Sequence, residues 1–156
     1  VSTPKRGDIV VFHDPVNPQI DLIKTVIGLP GDRISYINKR FFINGQPIPR
    51  KYIGSTLEPN NANLGYTAVS VYQENIGGHL HNIYNTKGVP SVNFKNLVVP
   101  QGEYFMIGDN RDTSDDSRDW GFVPYKDLVG RAFIIVFSWN STDHSVRWDR
   151  IGKKLP

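Results

Sequence analysis

The sequence predicts an all-β, mainly antiparallel protein, and three observations carry that prediction. Fourteen glycines and eleven prolines fall in short, regularly spaced clusters, the pattern of turns that separate short strands. Apolar residues come in brief runs or in alternation, and no segment carries a convincing helical period. With 38% hydrophobic residues in 156, the chain can bury a real core as one domain with an excursion.

The elements follow in order. Pro4-Lys5-Arg6-Gly7-Asp8 is turn chemistry, and Ile9 to Phe12 is a continuous apolar run that reads as a core strand. After a proline-rich loop, Asp14 to Pro18, the run Asp21 to Ile27 reads as a second strand. Its period of two puts Leu22, Lys24 and Val26 on one face and Ile23 and Ile27 on the other. Leu29-Pro30-Gly31-Asp32 suits a type II turn, because glycine accepts the positive φ at the third position. Two linked hairpins are expected next, with turns at Asn38-Lys39-Arg40 and Asn44-Gly45.

From Arg50 to Asn96 the composition turns polar and asparagine-rich. It reads as a smaller, exposed β excursion with strands at Thr67 to Gln73, Leu80 to Tyr84 and Val92 to Val99. The core resumes at Glu103 to Ile107 and at a strand over Ala132 to Trp139. The expected division is a discontinuous core of 1–37 and 97–156, with 38–96 inserted.

A net charge of +3 is mild and scattered, so a nucleic-acid partner is not demanded. The absence of cysteine excludes disulfides, thiolate metal sites and a cysteine nucleophile. The longest apolar run, near Ala132 to Phe137, is far below the roughly 18 residues of a membrane span. No signal-peptide pattern is present, and a start at Val1 without methionine leads us to expect that a natural N-terminus has been removed.

The chemistry concentrates in Gly108 to Asp119, where five aspartates and two arginines sit between core strands. A calcium loop would use Asp112, Ser114 and Asp116 as alternating ligands, but Ser117 holds the required glycine position and Val123 the place of the closing glutamate. Two readings stay open: a scaffold in which Arg111 and Arg118 pair with aspartates and the loop bonds its own backbone, or direct support of a site. Lys24 also has two readings. Its head snorkels to water, or burial lowers its pKa enough for the neutral amine to activate a serine hydroxyl. His79 and His81 share a strand face but lack a third metal ligand, so no metal is expected there. Arg147, Trp148, Arg150, Lys153 and Lys154 form a small basic and aromatic tail that could touch lipid headgroups.

Together, PKRGDIVVF at Pro4 to Phe12, DLIKTVIGLPGDRI at Asp21 to Ile34, and GDNRDTSDDSRDWGFVP at Gly108 to Pro124 resemble the bacterial type I signal peptidases. LVGRA at Leu128 to Ala132 and RIG at Arg150 to Gly152 extend the resemblance, while the polar middle does not take part. These serine/lysine endopeptidases remove leader peptides from exported proteins after small residues. The resemblance implies a signal-peptidase-like β-fold in which a core catalytic sheet carries a smaller inserted β excursion. Within it, Lys24 is the general base, Ser114 orients its amine, and the Asp116–Arg118 ion pair shapes the site from behind with Asp109 to Arg111. A substrate strand would add beside the lysine strand, using the backbone of Asp21, Leu22 and Ile23, with Val11 and Ile23 lining shallow apolar pockets.

No cofactor or metal is implied. The expected partners are signal peptides of exported preproteins and the bacterial inner membrane, reached through an N-terminal anchor outside these residues, with the catalytic domain on the extracytoplasmic side. The family's nucleophile lies in a Ser-x-Ser-Met segment several dozen residues before the lysine, whereas only 23 residues precede Lys24 and Ser2 does not match. The isolated chain is therefore expected to be inactive. The competing readings are a non-catalytic peptide-binding β module related to signal peptidases and, less favoured, a basic nucleic-acid-binding barrel.

Overall fold

In the computed structural model, residues 2–60, 62–131, 138–139 and 146–147 are described. The chain runs through β1 (Ile9–His13), β2 (Asp21–Gly28), β3 (Arg33–Ile37), β4 (Arg40–Ile43) and β5 (Gln46–Pro47). The excursion follows as β6 (Arg50–Asn60), β7 (Gly65–Ile76) and β8 (His79–Thr86). After β9 (Phe94–Val98) and β10 (Glu103–Ile107) come a one-turn helix α1 (Ser117–Trp120), β11 (Val123–Pro124), β12 (Leu128–Arg131), β13 (Ser138–Trp139) and β14 (Val146–Arg147).

The mainly antiparallel fold is as expected. A five-stranded sheet has the order β11-β10-β2-β1-β12, a four-stranded sheet β5-β4-β3-β9, and a three-stranded sheet β6-β7-β8, while β13 pairs with β14. Alternation along the central strands separates two cores. Val10, Phe12, Leu22, Val26, Tyr104 and Met106 pack on one face of the five-stranded sheet with Val123 and Leu128. Ile27, Phe105 and Ile107 face the other way, against Ile34, Tyr36, Phe41 and Ile43 of the second sheet and Ile76 of β7. Phe105 is fully buried there, edge-on to Phe41 and Phe94.

The short hairpins take their turns from local chemistry. Asn38 and Lys39 have φ of 50° and 63°, and Asn44 and Gly45 have 51° and 83°, the paired positive values of two-residue hairpin turns. The expected division after residue 37 falls at the β3–β4 turn, so the second sheet draws strands from both sides of it.

Several elements differ from the sequence reading, among them the short strands β11 and β12 of the five-stranded sheet, which were not expected. β6 is a strand where none was expected, because this exposed edge of the excursion has no buried face and so no apolar alternation to betray it. α1 was also missed, since four residues are too few to establish a helical period. Of the strand expected over Ala132 to Trp139, residues 132–137 lie outside the described residues, as does the tail from Trp148 onward. Among the described residues no helix is long and apolar enough to cross a membrane.

Candidate active site

Lys24 lies on β2 between Leu22 and Val26, both in the apolar core, and is only 5% exposed. The snorkelling reading therefore fails. Burial lowers the Lys24 pKa below the ordinary lysine value by disfavouring the ammonium, and Arg118 adds to that effect. Asp116, Asp109 and Asp115 pull in the opposite direction, but the net shift is downward. Among the described residues no hydrogen bond or ion pair holds the amine.

Lys24 reaches the acidic loop at Gly108. A Cβ placed on Gly108 would lie 2.5 Å from Ser114 Oγ, 2.6 Å from Ser114 Cβ and 3.2 Å from Lys24 Nζ. Only a residue without a side chain allows the hydroxyl and the amine to converge there. Ser114 Oγ donates to Asp116 Oδ2 at 2.9 Å and accepts from Arg118 Nη2 at 3.5 Å.

Asp116 is the hub of the loop and is fully buried. Its carboxylate accepts Gly108 N at 3.2 Å, Arg118 N at 3.0 Å, Arg118 Nε at 2.9 Å and Arg118 Nη2 at 2.7 Å, besides Ser114. Asp116 also caps α1, and Asp119 returns a bond to the Asp116 N–H, forming a capping box. The loop bonds its own backbone and pairs Arg118 with Asp116, as the scaffold reading expects.

Arg111 behaves differently from the expectation that it would pair with an aspartate. Its two terminal nitrogens bind Glu74 of β7 at 3.1 and 2.6 Å, in a pair almost wholly out of water. The sequence offered no signal for Glu74, one of two acids in a polar stretch. Another loop acid, Asp112, accepts the Thr86 N–H at 2.7 Å and Lys39 Nζ at 3.0 Å. That contact ties down the turn lysine at its positive φ.

The expected substrate-binding residues are divided between the faces of β2. Val11 and Ile23 form a cross-strand pair, 7% and 6% exposed, on the face opposite Lys24, whereas Leu22 shares the lysine's face. Asp21 pairs with His13 across the hairpin, Oδ1 to Nδ1 at 2.7 Å. β1 covers one edge of β2 along Asp21 to Thr25. On the other edge β10 pairs from Thr25 to Gly28. His79 and His81 stand 6.4 Å apart at the β7–β8 turn, where His81 Nε2 lies 3.0 Å from the Gly7 carbonyl.

Comparison with known proteins identifies the family. A family profile described as signal peptidase, peptidase S26, matches residues 1–139. The chain is 40% identical to signal peptidase I of Pseudomonas fluorescens, covering 97% of this chain and 56% of that protein. It is 39% identical to signal peptidase I of Pseudomonas aeruginosa, covering 89% and 51%. It thus spans about half the length of these relatives. A crystal structure of a signal peptidase I from Enterococcus faecalis V583 is similar with a TM-score of 0.52 and 30% identity, covering 85% of this chain and 98% of that one. By these matches the chain belongs to the signal peptidase family, peptidase S26.

Proposed function

We propose that the chain is the lysine-bearing core of a signal peptidase I that cleaves signal peptides from exported preproteins after small residues. The observation that supports this most is the desolvated Lys24 amine, which converges with the Ser114 hydroxyl on Gly108. Neutral Lys24 takes the proton from a serine hydroxyl, whose oxygen attacks the scissile carbonyl; the resulting ammonium gives that proton to the departing amine as the C–N bond breaks, leaving an acyl-enzyme and a neutral Lys24. The same amine then deprotonates the water that releases the acid product. The serine comes from a Ser-x-Ser-Met segment outside these 156 residues, so the isolated chain does not turn over.

Substrate adds as a strand along Asp21, Leu22 and Ile23, with Val11 and Ile23 restricting the side chains accepted. Ser114, Asp116 and Arg118 hold the wall behind the amine. Residues 1–37 and 97–156 form the catalytic core and 38–96 the insertion, on the extracytoplasmic side of the inner membrane. The test is preprotein cleavage by the full-length gene product. Lys24→Ala abolishes cleavage and leaves the fold intact; near-normal turnover by this variant contradicts the mechanism, and peptide binding without cleavage by the unmutated protein favours a non-catalytic binding module.

A further inference from the structure

We infer that Glu74, on the excursion strand β7, is a positioning residue for the Lys24 site, acting through Arg111 on Gly108. The inference rests on the reading of Lys24 as the base. Glu74 is fully buried in a strand that is otherwise largely half-exposed. Its carboxylate grips both terminal nitrogens of Arg111, and the third donor, Arg111 Nε, reaches the Gly108 carbonyl at 3.1 Å. The guanidinium also lies 5.0 Å over the Phe41 ring. It is therefore fixed by an acid, a carbonyl and an aromatic face.

Stability alone does not explain such a pair, because a buried ion pair can often be replaced by apolar groups without loss. Geometry gives a better reason. The carbonyl that Arg111 holds belongs to the glycine against which Ser114 Oγ and Lys24 Nζ converge. The same loop is stitched to β8 on both sides of Asn110: Tyr84 N–H donates to the Asp109 carbonyl at 2.9 Å, and Arg111 N–H to the Tyr84 carbonyl at 3.0 Å. The excursion thus grips residues 109–112 from two strands, and Glu74 is the point at which its side chains control the orientation of Gly108.

Neutralising Glu74 leaves Arg111 charged among Asp109, Asp112, His81 and Tyr36. Arg111 then turns toward the remaining acids and releases Gly108. Water enters beside Lys24, whose other charged neighbours are Asp116, Asp109, Asp115 and Arg118. With its desolvation relieved, the amine titrates at higher pH.

The experiment follows Lys24 by NMR in the full chain labelled with carbon-13 at lysine Cε, and turnover in the full-length gene product. Two variants are compared, Glu74→Gln and the apolar pair Glu74→Leu/Arg111→Met. Glu74→Gln raises the Lys24 titration midpoint and lowers kcat at neutral pH about tenfold, within the range that small misplacements cost, while KM changes less than about threefold. The double variant recovers thermal stability but keeps the raised midpoint, because nothing holds the Gly108 carbonyl. A wild-type Lys24 midpoint in the double variant overturns the inference, and this variant decides the matter if Glu74→Gln does not fold. A raised midpoint with unchanged turnover sustains the role of Glu74 and rejects Lys24 as the base.

Discussion

Replacing Asp116 with asparagine removes one charge and one acceptor without changing shape, and it is expected to weaken the fold while pushing Lys24 further toward the neutral amine. Asp116 Oδ2 accepts Gly108 N–H, Ser114 Oγ and Arg118 Nη2. An amide nitrogen in that place would face donors. The other oxygen can keep its two bonds to Arg118, and asparagine is as good a helix cap as aspartate, so the start of α1 survives. The loss falls on Arg118, whose side chain is 15% exposed and would keep its charge without a full counter-ion. Hydrogen bonds to charged groups contribute about 1.5–3 kcal/mol and are not additive. Breaking a buried pair from one side costs about 3–5 kcal/mol, and we expect Asp116→Asn to fall in that range. Among the groups that raise the Lys24 pKa, Asp116 is the largest. Removing it withdraws support from the ammonium, so the Lys24 midpoint falls. Urea unfolding at neutral pH and lysine NMR titration measure the two effects. A loss below about 1 kcal/mol, or a Lys24 midpoint that stays or rises, would refute this account of the loop.

Other substitutions probe the same site. Burial lowers the Lys24 pKa, so the folded state disfavours the ammonium; the cost is full below the folded pKa and disappears as pH rises from there to 10.5. Lys24→Met is therefore expected to be more stable than the wild type at neutral pH, by about 1.4 kcal/mol per unit of depression, with the advantage closing at alkaline pH. Urea melts across that range check it, and a variant less stable at neutral pH would contradict it. Gly108→Ala forces a methyl group against Ser114 and Lys24 Nζ and should cost about 1–3 kcal/mol, read as a lower thermal midpoint; an unchanged midpoint would show that the contact relaxes freely. Phe105→Ala, at the centre of the core between the two larger sheets, should cost about 3–5 kcal/mol, with chemical denaturation as the measurement.

Much of this was legible because the relevant residues obey simple periods. The alternation put Lys24 on the face of Leu22 and Val26, but whether its head reached water could not be read; burial on both faces of β2 settled that. Asn38 and Asn44-Gly45 announced their turns through residues tolerant of positive φ. β6 was hidden because an exposed edge strand satisfies its backbone by pairing with β7 rather than by burying an apolar face. α1 was marked only by Asp116 and Asp119, three residues apart, a capping signal that the surrounding acids obscured. The partner of Arg111 could not be read at all. Glu74 is 37 positions away, and only the folding of the excursion onto the loop brings them together.

The most direct test is the titration of Lys24 itself. In the folded chain labelled at lysine Cε, one lysine resonance is expected to titrate below the ordinary lysine value and to disappear in Lys24→Arg. If all lysines titrate together at the ordinary value of about 10.4, the amine is not held ready as a base and the assignment of Lys24 fails.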